Sequence, residues 1–147
     1  MIEIDFAPGT LPRDVIVFVI EHAFESLDIA LSYFTDETIW TAILDALANG
    51  IPVRLLLDRH EINARTSIYK RFILGHTFPG LTVKITQSKG YMHNHFCLCD
   101  DYILVTGSYN WTYYAGSRNA ENLFYAEGEP IQSDYQAEFE KLWSLAI

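Results

Sequence analysis

Apolar residues recur along the chain with two different periods, and the change of period predicts where strands and helices lie. Short alternating or continuous apolar segments predict strands over 2–6, 27–34, 52–57, 81–86, 93–99, 102–106 and 123–126. Apolar residues three and four positions apart predict helices over 12–26, 35–49, 62–75 and 133–145. This order predicts an α/β protein with a mixed β-sheet flanked by helices, in which the later strands are antiparallel.

Local signals support several of these boundaries. The helix over 35–49 begins at a capping side chain, either Thr35 or Asp36, and ends before Gly50. Two consecutive aspartates at 100–101 separate two apolar segments and predict the turn of a β-hairpin. The sequence contains no internal repeat or linker, so we expect a single domain over 1–147.

Composition favours a folded protein in a reducing compartment. Half of the residues are hydrophobic and 14% are aromatic, which argues against disorder. No apolar run reaches membrane-spanning length, and the acidic start of the chain differs from a signal peptide, so a soluble, cytoplasmic protein without a membrane partner is predicted. Cys97 and Cys99 lie two positions apart on one predicted strand, where a bridge would be strained, and are expected as reduced thiols.

Charge is distributed unevenly along the chain. The net charge is −9, which by itself opposes binding to nucleic acid. Residues 54–89, however, contain seven basic and two acidic side chains, whereas the remaining residues contain three basic and 17 acidic ones. This asymmetry permits a locally positive cleft on an acidic body, but an ordinary solvated helix face accounts for it equally well.

Polar side chains suited to phosphate chemistry follow one another in the last third of the sequence. Two histidines lie two positions apart, where a strand would place both on one face. A glycine after the next strand allows close approach of a ligand, and the hydroxyl and amide behind it can contact an anion. A carboxylate farther on can orient a histidine ring. The set comprises His93, His95, Asp100, Gly107, Ser108, Asn110 and Glu121.

At these residues the sequence resembles the phospholipase D superfamily. The pattern of that family is H-x-K-x4-D followed by G-S-x-N and often by N-x-E-N. Here His93 and Asp100 match the first element, 107–110 match the second and 119–122 match the third. Upstream segments such as F-A-P-G and N-G-I-P-V-R-L-L-L-D are similar to small bacterial nucleases of the superfamily, so the resemblance covers nearly the whole chain.

The resemblance implies an α/β sandwich that hydrolyses phosphodiesters without a metal or another cofactor. One histidine attacks phosphorus and forms a phosphohistidine, and a second histidine protonates the leaving oxygen. Because this chain carries one motif, the resemblance implies a two-fold homodimer in which each copy supplies His93. The implied roles are ring orientation for Glu121, phosphate binding for His95, Ser108 and Asn110, and structural support of the motif for Asp100 and Gly107.

His95 departs from the family pattern, which has lysine at this position. Histidine is largely neutral near pH 7, because its unperturbed pKa is about 6.5. Loss of a preorganised charge typically lowers a rate on the order of 100- to 1,000-fold. A bound phosphate can raise the pKa of His95 and favour activity at acid pH. Alternatively, a basic residue such as Lys89, Arg118 or one within 59–71 supplies the charge.

Three functions remain open from the sequence. The first is an active endonuclease that cleaves DNA or RNA, favoured over phospholipid because of the small chain and its basic segment. The second is a degenerate module that binds nucleic acid or another phosphate ligand with little turnover. The third, ranked below both, is a zinc site formed by His93 and His95 of two copies across a dimer axis.

Other aromatic and histidine residues give weaker signals. Trp111, Tyr113 and Tyr114 can stack on nucleic-acid bases, or they can pack in a core or dimer interface. The remaining histidines, His22, His60 and His76, follow no pattern, and the sequence assigns them no role.

Overall fold

A computed structural model describes residues 1–113 and 118–147 of the chain. Within these residues, seven strands form one mixed sheet in the spatial order 1-7-6-5-2-3-4. The strands are β1 (Ile2–Ala7), β2 (Leu27–Leu31), β3 (Val53–Leu57), β4 (Leu81–Ile85), β5 (His95–Cys99), β6 (Ile103–Gly107) and β7 (Glu121–Glu127). The α-helices described are α1 (Leu11–Glu21), α2 (Glu37–Ala48) and α3 (Ile131–Leu145).

Strand direction changes in the middle of the sheet. The neighbours β2, β3 and β4 are parallel, whereas β5, β6, β7 and β1 pair antiparallel. Consequently five strands end on the same side of the sheet, namely β1, β2, β3, β4 and β6, and the other two, β5 and β7, begin there. We call this side the upper end. The predicted α/β class and the antiparallel later strands are confirmed.

Helices cover both faces of the sheet. On one face α1 and α2 bury side chains such as Ile16 and Ile43 against alternate residues of β2, β3 and β5. Cys97 and Cys99 are free thiols in this core, as predicted, and burial raises the pKa of both. On the other face, α3 packs its apolar side, which includes Phe139, against the sheet. No helix in the described parts of the chain combines the length and apolar character needed to cross a membrane.

The first helix is shorter than its apolar pattern predicts. The prediction extended it to Ser26, but α1 ends at Glu21. The backbone N–H groups of Phe24, Glu25 and Ser26 donate to the carboxylate of Asp100 instead of continuing the helix. Asp100 reaches them from the β5–β6 turn, where it has a φ of 57°, so a long-range contact decides where α1 ends.

The predicted helix over 62–75 is wrong as a continuous element. The chain forms a 3-10 turn at Glu61–Asn63, becomes extended at Ala64, and then forms a short π-helix at Tyr69–Ile73. The side chain of Ser67 accepts a hydrogen bond from the backbone N–H of Lys70. Such side-chain acceptors compete with the backbone carbonyls of a regular helix.

Candidate active site

The two motif histidines lie at the upper end of the sheet in different environments. His95 is the first residue of β5 and is only 8% exposed, whereas His93 precedes the strand and is exposed. The prediction that the strand begins at His93 is therefore wrong by two residues. The rings meet edge to face, with centroids 5.1 Å apart. The structure thus brings the imidazoles together and leaves His93 facing solvent.

His95 is held in a buried, neutral state. Its Nε2 lies 2.6 Å from the hydroxyl oxygen of Ser32, which follows β2. Burial lowers the pKa of His95 below its usual value, and the nearby His93 adds to this effect. The backbone of Gly107 and the charge of Glu121 oppose the shift without reversing it. In the free protein, His95 therefore does not provide the permanent charge of a lysine at pH 7.

A polar network joins the end of β6 to the start of β7. The hydroxyl of Ser108 donates to Glu121 Oε2, and Asn119 Nδ2 donates to Glu121 Oε1 over 3.3 Å. The backbone N–H of Asn122 donates to Ser108 Oγ over 3.0 Å. Ser108 and Glu121 therefore lie together as predicted from their motifs. Orientation of an imidazole by Glu121 stays a prediction, since these bonds engage both of its carboxylate oxygens.

Gly107 and Asn110 complete this corner of the site. Gly107 has a φ of 146°, and a Cβ there would lie 2.4 Å from the carbonyl oxygen of Asn122. Glycine is thus required for the approach of β6 to β7. Asn110 is half-buried, and within the described residues its Oδ1 has no hydrogen-bond partner. No hydrogen bond to the amide oxygen therefore holds this side chain in place.

Asp100 lies away from these residues, at the opposite end of β5. Its carboxylate accepts hydrogen bonds from the N–H groups of Phe24, Glu25 and Ser26 over 2.7 to 3.2 Å. It holds the connection between α1 and β2 against the hairpin turn. Structural support of the motif by Asp100 stays a prediction, which this contact makes testable.

The sequence did not single out a second polar group at the upper end. Asp58, which directly follows β3, is fully buried. Its Oδ1 accepts the backbone N–H of Met92 over 2.7 Å, and its Oδ2 accepts both the backbone N–H and Nδ1–H of His60 over 2.8 Å. The ring of His60 stacks on Tyr91 with centroids 4.2 Å apart. Asp58 therefore fixes the chain immediately before His93.

Glu61 is a buried acid beside this group. Its side chain is 1% exposed, and Oε1 accepts the backbone N–H of Phe34 over 3.2 Å. Its Oε2 has no hydrogen-bond partner in the described parts of the chain. Burial raises the pKa of Glu61 to about 7, with a further contribution from Asp58. The position of Asp58 after a parallel strand is the signal that could have marked this region, because sites lie at the carboxyl ends of such strands.

Comparison with known proteins places the fold and motif in one family. Residues 16–143 match the family model described as "Cardiolipin synthase, PLD-like domain". The chain belongs to the phospholipase D family. A mitochondrial cardiolipin hydrolase of Xenopus tropicalis is 31% identical over 128 residues, covering 87% of this chain and 59% of that protein. A phospholipase D of Rickettsia prowazekii is 33% identical over 130 residues, covering 88% and 62%.

The chain thus spans about 60% of the length of these curated relatives. Two solved structures match it over its whole length. Nuc of Salmonella typhimurium, a phospholipase D family member, has a TM-score of 0.89 at 21% identity and is covered to 96%. NucT of Helicobacter pylori has a TM-score of 0.88 at 21% identity and is covered to 99%. At this identity, the likeness establishes the shared fold.

In this phospholipase D-family chain, the basic residues of 54–89 do not form one surface. Arg54, near the start of β3, pairs with Asp28 and Glu140. Arg71 pairs with Glu37 on α2. Arg59 is the second residue after β3, and its guanidinium lies 3.5 Å from the carbonyl oxygen of Lys89. Arg59 and Lys89 thus place positive charge from this segment in the loops after β3 and β4, at the upper end of the sheet.

The aromatic residues after Asn110 divide between core and surface. Trp111 is buried and packs edge-on against Phe34, with centroids 5.8 Å apart, so it belongs to the core. Tyr113 is exposed, with the Arg13 guanidinium 6.0 Å from its ring centroid. Tyr114 lies outside the described residues.

Within the described residues, no group of three or more metal-ligating side chains is arranged around a common point.

Proposed function

We propose that this chain is a metal-independent phosphodiesterase that hydrolyses nucleic acid through a phosphohistidine on His93. The observation that carries the proposal is the exposed imidazole of His93 beside His95 in a phospholipase D-family motif. Asp58 anchors the preceding amide, which restricts the position of His93. A fixed and accessible imidazole is suited to nucleophilic attack.

The proposed reaction has two displacements at phosphorus. A His93 nitrogen attacks the phosphodiester, so that a P–N bond forms while the P–O bond to the leaving group breaks. A second histidine donates its proton to the leaving oxygen. The same group then removes a proton from water, whose oxygen attacks phosphorus and breaks the P–N bond. The products are a phosphate monoester and an alcohol, and both imidazoles return to their starting state.

We assign the second histidine to His93 of another copy of this chain. One chain carries a single motif, and its His93 lies on the surface rather than in a closed site. A two-fold homodimer would bring the two imidazoles to opposite sides of the phosphate. Sedimentation of the purified protein tests this assembly: a monomer at assay concentrations contradicts it.

Ser108, Asn110 and His95 are proposed to contact the phosphate, with Glu121 orienting a ring. The structure adds a requirement to the role of Ser108, because its hydroxyl donates to Glu121 in the free protein. Contact with phosphate therefore requires this hydroxyl to turn away from the carboxylate. For Asn110, the amide nitrogen is the group suited to an anion, because it is a hydrogen-bond donor.

Nucleic acid is the proposed substrate because Arg59 and Lys89 add positive charge near His93. Phospholipid is the second candidate, favoured by the names of the cardiolipin hydrolase and phospholipase D relatives. A binding module with little turnover is the third, favoured by the neutral state of His95. We also propose a cytoplasmic location, supported by the two free cysteines.

The test is a cleavage assay in excess chelator between about pH 5 and 8, the range over which histidine titrates. Single- and double-stranded DNA and RNA are compared with cardiolipin vesicles. Cleavage of nucleic acid by the wild type, its loss in His93→Ala and its retention in His76→Ala support the proposal. His76 is a matched control because it is an exposed histidine in the loop before β4.

Cleavage of cardiolipin alone would replace nucleic acid by lipid as the substrate. Binding of nucleic acid without cleavage by a folded dimer would favour the binding module. Activity that survives in His93→Ala would contradict the phosphohistidine mechanism.

A further inference from the structure

A third imidazole, that of His60, lies at the upper end of the sheet, outside the motif. The Nδ1–H of His60 donates to Asp58, so its Nε2 is directed away from that carboxylate. The side chain is 34% exposed, and within the described residues its Nε2 has no protein partner. Stacking on Tyr91 fixes the plane of the ring. A carboxylate and an aromatic face thus hold His60 with one nitrogen open.

The surroundings of this open nitrogen are basic. Arg59 precedes His60, and its guanidinium contacts the carbonyl of Lys89 across the gap between the loops after β3 and β4. The ammonium group of Lys89 extends from an exposed residue. The nearby acids are Asp58, which is already bonded to His60, the buried Glu61, and Glu138, which lines the groove beside Tyr91 and His93 but pairs with Lys141. An anion is therefore the complementary ligand for this surface.

His60 is also connected to His93. Its stacking partner Tyr91 is two residues before His93, which places their Cα atoms at most about 7 Å apart. Tyr91 and His93 line the same groove, which has a volume of about 290 Å³. Phosphates recur at about 3.4 Å of axial rise along a nucleic-acid strand. A strand with one phosphate at His93 therefore has neighbouring phosphates within reach of His60.

We propose that His60, bound as an imidazolium whose Nε2–H donates to the phosphate, and Arg59 form a subsite for a phosphate of the nucleic-acid strand next to the phosphate that is cleaved at His93. The subsite places the positive charge of Arg59 beside the phosphate that reacts. The motif itself carries histidine instead of lysine at position 95. Binding of a flanking phosphate holds the strand in the groove and leaves the chemical step to His93. The proposal rests on the nuclease function proposed above, and it adds a requirement for a substrate with more than one phosphate.

The test compares two substrates that differ in neighbouring phosphates. A single-stranded oligonucleotide has flanking phosphates, whereas bis(p-nitrophenyl) phosphate is a single phosphodiester without any. His60→Asn is the informative variant, because its amide can still donate to Asp58 while the outer nitrogen is lost. His76→Asn is the control at an exposed histidine in the loop before β4.

We expect His60→Asn to raise KM for the oligonucleotide about 10-fold with little change in kcat, as loss of one charge-assisted hydrogen bond predicts. Its kcat/KM should fall about 10-fold more for the oligonucleotide than for the single diester. His76→Asn should alter neither substrate. Equal losses on both substrates, or no loss on either, would overturn the subsite.

Binding provides a readout that does not depend on cleavage. In a His93→Ala background, His60→Asn should reduce the slope of log affinity for the oligonucleotide against log salt concentration by about one, the value for one phosphate contact. An unchanged slope would overturn the subsite. If the wild type cleaves neither substrate, the nuclease function fails, but the comparison of salt slopes still decides whether His60 binds phosphate.

Discussion

His95 and Ser32 are joined by a 2.6 Å hydrogen bond between Nε2 and Oγ, which ties the second motif histidine to the end of β2. The contact occupies the ring nitrogen at the tip of the side chain. Burial lowers the pKa of His95 below its usual value, so the ring is largely neutral at pH 7 in the free protein. The motif therefore carries one exposed imidazole, at His93, and one that is committed to the fold.

Replacing His95 with lysine should raise the rate of phosphodiester cleavage at pH 7 by about 100-fold, because a permanent charge would face the phosphate. The measurement is kcat on an oligonucleotide in excess chelator. His95→Gln is the matched control, since it alters the same buried position without adding charge and should give no gain. A folded His95→Lys protein with the wild-type rate would show that this charge does not limit the reaction.

The pH dependence of activity should reveal when His95 becomes charged. Burial depresses its pKa below the ordinary value of 6.5, so the ring gains a proton in the free protein only as the pH falls below that value. The ratio of kcat/KM for the wild type to that for His95→Gln should therefore rise towards acid pH. Both proteins contain His93, so the ratio isolates the effect of the residue at position 95. A ratio that stays constant between about pH 5 and 8 would contradict a charge-dependent role.

Glu61 should make stability fall as the pH rises. The pKa of Glu61 is about 7 in the folded protein and 4.5 ordinarily, so the folded state retains the proton between these values. The contribution of Glu61 to the free energy of unfolding should decrease by about 3 kcal/mol from pH 4.5 to 7 and then level off.

The check is urea unfolding of the wild type and Glu61→Gln across this range. Glutamine cannot ionise, so the difference in stability between the two proteins should shift in favour of the variant as the pH rises. Other titrating groups, including His95, are common to both proteins and cancel in the difference. Parallel stability curves would contradict the raised pKa of Glu61.

Asp100→Asn should destabilise the fold by about 1.5 to 3 kcal/mol, because three backbone N–H groups would lose a charged acceptor. Thermal or urea unfolding measures this loss. Asp101→Asn is the control: Asp101 is the exposed neighbour in the same turn, also at positive φ, which asparagine tolerates. A loss of activity in Asp100→Asn at unchanged stability would place this residue in the chemistry instead.

Elements defined by local signals could be predicted from the sequence. The Asp36 side chain caps α2 by accepting the N–H groups of Thr38 and Ile39, as its position before the helix indicated. The turn at Asp100 and Asp101 also forms where two short polar residues tolerate positive φ. These features depend on a few consecutive residues, so the local sequence is sufficient to predict them.

Features that depend on distant residues could not be predicted in the same way. The helix period could not show that α1 would lose its last turn to Asp100, which comes from another part of the chain. His60 follows no pattern in the sequence, because its partner Tyr91 approaches only when β3 and β5 are placed in the sheet. The hydrogen bond of His95 likewise depends on Ser32, which follows β2 in a distant part of the sequence.

The change of strand direction divides the residues at the upper end into two groups that differ in how freely substitutions can accumulate. His95 lies on antiparallel β5, which pairs with β6, and Gly107 allows the close approach of β6 to β7. Asp58, His60 and Lys89 lie on loops after parallel strands, and loops diverge faster than strands during evolution. Descendants of this chain can therefore acquire new substrates by altering those loops, provided that the carboxylate at position 58 continues to anchor Met92.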